Sequence, residues 1–147
     1  MQGAKMSVPV NQRSHGKLEA CVKAHELAVY TLRITKNKKI FAAEYQECLT
    51  DHIISAALNV YMFSKAANDL TVRTPQDCDN FDERCRLQKL AIIECGNLMS
   101  LILLAKPIFH LSSKRVKYWH TMTKEARCLI KAWSDSDKKR FAPLFDA

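Results

Sequence analysis

The sequence predicts an all-α protein, an antiparallel four-helix bundle, on three observations. Glycine and proline are scarce, at 3 and 4 residues in 147, whereas sandwiches and barrels need many tight turns whose backbone angles favour Gly, Asn and Pro. Apolar residues make up 48% of the chain, enough for one core in a domain of ordinary size. They recur at spacings of three and four in four separate segments, the pattern of one-sided helices.

Residues 1–16 show no such period and read as a flexible basic arm. The first helix is expected over 17–35, with Leu18, Cys21, Val22, His25, Val29 and Leu32 on one face. A basic turn follows, Lys36, Asn37, Lys38, Lys39. The second helix, over 41–68, carries one stripe of Phe41, Tyr45, Leu49, Ile53, Ala56, Val60 and Phe63 and a second of Ile54, Leu58, Tyr61 and Met62. Two stripes ask for cover on two sides, either within one chain or from a second copy. The aspartate-containing stretch 69–80 reads as a solvated loop. Over 82–105 a third helix presents Leu87, Leu90, Ala91, Leu98, Leu101, Ile102 and Ala105, and Pro107 is expected to stop it. Ser112 or Ser113 can cap a fourth helix, which runs to Trp133 on a face of Val116, Trp119, Met122, Ala126, Leu129 and Ile130. The bundle thus spans 17–134, and 135–147 is expected as a C-terminal tail.

Charge is segregated along the chain. The net charge of +8 divides into +6 over residues 1–39, −4 over 40–105 and +6 over 106–147. Such a distribution points to a basic region built from the two chain ends, suited to a polyanion. The densest run lies on the fourth helix, at Lys114, Arg115, Lys117, Lys124, Arg127 and Lys131, with Lys36, Lys38 and Lys39 as secondary contacts. Aligned cations track a phosphate backbone and gain by releasing its counterions. Lys138, Lys139 and Arg140 extend the run. Tyr118 is the one clear aromatic on the polar side, so the expected recognition is through phosphate and shape rather than base stacking.

Catalytic patterns are not found. The chain has no G-x-S-x-G elbow, no P-loop and no G-x-G-x-x-G. Cys48 and His52 are four apart, but a zinc site needs two further ligands and none is near in sequence. His25, His52, His110 and His120 read as core or boundary histidines, and no cofactor is expected. The six cysteines form no C-x-x-C pair, and four fall in apolar-periodic segments, where a thiol acts as a small hydrophobe. A reduced, cytoplasmic protein is the simplest expectation. The longest strongly apolar run, 98–105, is too short to span a bilayer, so no membrane partner is expected.

Three stretches carry a family likeness: Tyr61-x-Phe-Ser-Lys-Ala-Ala-Asn-Asp ending at 69, RLQKLAIIECGNLMSLILLA over 86–105, and Leu-Ser-Ser-Lys-Arg at 111–115 leading to Leu129, Ile130, Lys131, Ala132 and Trp133. Over roughly 17–134 the chain resembles the four-helix-bundle accessory variability proteins of diversity-generating retroelements, relatives of proteins encoded in ribosomal-RNA intervening sequences. It departs from them at Thr35, Lys36, Asn37 and Lys38, where a Phe-Pro-Lys turn is common, and at Lys131 and Ala132, where a glycine pair is common. The Asn-Ile-Ala-Glu-Gly stretch of the ribosomal branch is absent, which favours the retroelement branch. The resemblance implies a homopentameric barrel with a positive surface. It implies a nonenzymatic subunit that binds template RNA, or DNA, together with a reverse transcriptase during mutagenic cDNA synthesis. The rival expectation is a helical interaction scaffold whose charge docks an acidic protein or aids solubility.

Overall fold

A computed structural model describes residues 8–145, with side chains described from residue 19 onward. Four long helices pack together, and no strand occurs among the described residues: α1 Val8–Thr35, α2 Asp51–Asp69, α3 Cys78–Phe109 and α4 Ser113–Phe145. Neighbours run antiparallel. Lys23 reaches Glu125 while Thr31 bonds Trp119, Ala67 meets Arg84 while Asn59 meets Glu94, and Met99 meets His120 while Arg84 meets Asp137. Each of α1 and α3 packs on both α2 and α4, so α1 and α3 stand at opposite corners.

The core stripes of the later helices fall where the spacing puts them. Ile53, Ala56 and Val60 of α2, Leu87, Ala91, Leu98 and Ile102 of α3, and Val116, Trp119, Ala126, Ile130 and Trp133 of α4 are all buried. On α2 the second stripe is half-buried, and Met62 is exposed. Trp119 sits at the centre and donates from Nε1 to Thr31 Oγ1 at 3.1 Å. That bond satisfies its one polar atom, as a buried indole requires.

Helix α1 corrects the expectation. Its core face is Ala20, Ala24, Leu27, Ala28, Thr31 and Thr35. The expected stripe points elsewhere: Val22 and Leu32 are exposed, as is His25, and Cys21 and Val29 are only half-buried. Small residues let α1 approach its neighbours closely, and Thr35 hides its hydroxyl by donating to the Thr31 carbonyl at 2.7 Å. Of the expected arm, residues 1–7 and the side chains of 8–16 lie outside the description, and the backbone of 8–16 is helical.

Three boundaries differ for reasons of packing. The start of the second helix is irregular, a 3₁₀ turn at Ala43–Tyr45 and a π turn at Gln46–Thr50 before α2. The stretch read as an acidic loop is largely a helix start. Thr74 and Asp77 form a capping box around Pro75, and α3 begins at Cys78. Pro107 does not stop α3, which continues to Phe109. Phe109 is buried against Phe41 and Tyr45, with ring centroids 4.9 and 5.7 Å away. Burying such a ring stabilises by about 1.5–3 kcal/mol, which offsets one hydrogen bond lost in the last turn. The helix then closes on His110 in the left-handed region, whose N–H bonds the Lys106 carbonyl.

The expected tail also proves to be core. Helix α4 runs through 135 to Phe145. Asp137 is 2% exposed and accepts from Arg84 Nε at 2.6 Å, Arg84 Nη2 at 3.2 Å and Gln88 Nε2 at 2.8 Å. Arg84, itself buried, also donates to the Leu70 carbonyl at 3.0 Å and lies over the Trp133 ring. Phe81 packs on Phe141 and Phe145.

By length and composition Pro75–Phe109 is long and apolar enough to cross a membrane, with a window of mean hydropathy 1.6. The short run 98–105 does not by itself suggest that. One face of the helix is buried in the bundle, and on the other Ile93, Leu103, Leu104 and Ile108 are exposed.

Candidate nucleic-acid interface

Helix α4 begins at Ser113, where Ser112 Oγ accepts from the Arg115 N–H at 3.1 Å. This cap satisfies one of the free N–H groups of the first turn. It fixes the direction in which the next residues leave the helix. Lys114, Lys117, Lys124, Arg127 and Lys131 are all exposed, and Arg115 is half-buried. Among the described residues none of the six pairs with a carboxylate.

The six do not make one continuous patch. At 100° per residue, Lys117, Lys124 and Lys131 form a stripe, each about 10 Å from the next. Arg127 lies towards α3, close enough to Cys95 to act on its thiol electrostatically. Arg115 turns the other way, towards Tyr30 of α1. The spacing within the stripe is about one Debye length at physiological salt. Lys124, Arg127 and Lys131 therefore act largely apart from the cations at the start of the helix.

Antiparallel packing brings the end of α1 to the start of α4. Thr31 and Tyr30 meet Trp119 and Tyr118, so Lys36, Lys38 and Lys39, just past the last residue of α1, lie at the same end as Lys114 and Arg115. All three are exposed. Lys38 has a structural use as well, donating to the Thr35 carbonyl at 3.1 Å and to Gln46 Oε1. A cation on the last carbonyls of a helix stabilises it. Glu44 and Glu47, on the following turns, are exposed at this end and moderate its charge.

The acidic stretch lies at the far end. The contacts of Phe81 with Phe141 and of Arg84 with Asp137 hold Asp77, Asp79 and Asp82 beside the C-terminal part of α4. Lys138 and Lys139 are exposed there, but Arg140 is not part of an open cationic run. It is half-buried, pairs with Asp137 at 3.2 Å and stacks on Phe141. Asp77 accepts the N–H groups of Arg73 and Thr74, which hold its carboxyl below the usual range.

Sequence reasoning missed Tyr30. It sat within a helix read by its apolar spacing, and only the pairing of α1 with α4 brings it to Tyr118. The two rings meet edge-on with centroids 5.1 Å apart, and Tyr30 is backed by Trp119 at 6.1 Å. Together with Ser112, Lys114, Arg115, Lys117 and Thr121 they line a groove of about 550 Å³. Burial pushes the Tyr30 phenol up, with the Arg115 cation opposing, so it stays neutral near pH 7.

A further polar groove lies between α2 and α3, lined by His52, Ser55, Asn59, Glu94, Asn97 and Ser100. Both Glu94 oxygens accept from amides, Asn59 at 2.6 Å and Asn97 at 3.0 Å. No cluster of three His, Cys, Asp or Glu that could hold a metal occurs among the described residues. His25, His52 and His110 are exposed, and His120 contacts the Met99 carbonyl at 3.0 Å. Of the cysteines only Cys95 is buried, and Cys48, Cys78 and Cys128 are exposed. Comparison with family models, with characterised proteins and with solved structures finds no match to this chain.

Proposed function

We propose that the protein is a nonenzymatic nucleic-acid-binding accessory subunit, of the kind its resemblance to retroelement accessory variability proteins implies. In that role it would engage template RNA or DNA together with a reverse transcriptase. One observation carries the reading. Cations from two distant parts of the sequence, Lys36 to Lys39 and Lys114 to Lys117, share one end of the bundle, and the acidic stretch is held at the other. A polyanion is drawn more strongly to the first end than to the second, where the aspartates of 77–82 offset Lys138 and Lys139.

Self-association has separate support. Val22 and Leu32 on α1 and Ile93, Leu103 and Leu104 on α3 are exposed, and the two helices stand at opposite corners. Two different apolar patches facing away from each other suit head-to-tail contacts, which close into a ring when the rotation allows. A homopentameric barrel is one such ring. The same α3 patch favours, as a second reading, a scaffold that docks a protein partner there.

Binding to labelled RNA across a salt series tests the first reading. Replacing Lys114, Arg115 and Lys117 with Gln should reduce the slope of log affinity against log salt by roughly 2–3. An unchanged slope would remove these residues from the interface. The native mass in solution tests the ring, and a monomer would refute it.

A further inference from the structure

We infer that the groove between the start of α4 and the end of α1 is a base-stacking subsite for single-stranded nucleic acid, with Tyr118 as its platform. This rests on the reading above and goes further, because it chooses single strands over duplex. Tyr118 is 56% exposed and presents its ring to solvent at the edge of this groove. It is not left loose. Tyr30 braces it edge-on, Trp119 braces Tyr30, and Trp119 is fully buried and held by Thr31. The row Tyr118, Tyr30, Trp119 therefore offers an outer ring on a fixed support, so little freedom is lost when a ligand stacks on it.

The charge around the ring identifies the occupant. Lys114, Arg115 and Lys117 border the same groove and are unpaired with any carboxylate among the described residues. A flat apolar surface ringed by three cations matches a ligand that is aromatic in one part and anionic a few ångströms away. A nucleotide of a single strand has that form. In a duplex the base faces are stacked on each other and only edges and phosphates are presented. A single strand exposes the faces, and every base has one, so stacking of this kind tolerates any sequence.

The test compares a fluorescent 12-nucleotide oligouridine or oligoadenine with a blunt duplex of the same length, in a salt series. Tyr118→Ala should weaken binding of the single strand by roughly tenfold to a hundredfold at fixed salt. It should leave the salt slope and the duplex affinity unchanged, and Tyr118→Phe should restore binding. Tyr118 is outside the core, so a native circular-dichroism spectrum is expected for both variants. Equal loss for strand and duplex, or no loss, would overturn the inference. So would a loss confined to anionic phosphatidylserine vesicles, since that would make the ring a membrane contact. The triple Gln variant of Lys114, Arg115 and Lys117 separates the two levels. If it lowers the salt slope while Tyr118→Ala changes nothing, stacking fails and phosphate binding stands. If the slope does not move, both fail.

Discussion

An Asp137→Ala variant should lose about 3–5 kcal/mol of folding stability, the usual cost of stripping one partner from a buried ion pair. The magnitude follows from what remains. Arg84 is 3% exposed, and after truncation its guanidinium would keep only the carbonyls of Ala67 and Leu70. Gln88 Nε2 would lose its acceptor too, and Gln88 is fully buried. A domain of this size has a total stability of about 5–15 kcal/mol, so the loss is a large fraction of it. It corresponds to a fall in melting temperature of roughly 6–20 °C. Urea and thermal unfolding followed by far-ultraviolet circular dichroism would measure it. The double variant Arg84→Met with Asp137→Leu should recover most of the loss, because removing both charges also removes their desolvation cost. A loss below about 1 kcal/mol for Asp137→Ala alone would refute the reasoning, since it would mean that water reaches the pair and that 135–145 does not dock on α3.

Three further outcomes concern titration and reactivity. Asp77 has its pKa lowered from 3.8 by the backbone N–H groups of Arg73 and Thr74. The stability it contributes is present above its unfolded value and lost as pH falls through the lowered one, so Asp77→Asn should show a shallower acid limb below about pH 4 in a pH series of urea midpoints. Burial pushes the Cys95 thiol up to about 12. The folded state then holds a proton that the unfolded chain releases, stability falls as pH climbs from 9 towards 12, and Cys95→Ala should flatten that limb. In timed alkylation read by mass spectrometry, Cys48, Cys78 and Cys128 should react first and Cys95 last. Early labelling of Cys95 in a folded sample would contradict its burial.

The all-helical class, the number of helices and the core faces of α2, α3 and the first part of α4 are written in local spacing, which is why residues such as Ile53, Leu98 and Ile130 fall where periodicity puts them. The candidate cations were equally visible, since long charged side chains stay at the surface and need no partner to reveal them. Local signals failed where packing outweighed propensity. Pro107 read as a helix end, yet buried Phe109 carries α3 past it, and α4, expected to end at Trp133, runs on through buried Phe141 to Phe145. Asp137 read as a tail residue because its partner Arg84 lies 53 positions away. On α1 the larger apolar residues outlined the wrong face, since close approach of neighbouring helices selects alanine and threonine.

By itself, then, the chain determined which segments coil and where its positive charge resides, because both depend on neighbours within a few residues. Only the tertiary structure decided which faces meet, that Tyr30 stands against Tyr118, and that Lys36 to Lys39 share one end with Lys114 to Lys117 while the aspartates of 77–82 lie at the other. Those are consequences of antiparallel packing, which joins residues far apart in sequence through shape and burial rather than through any local pattern.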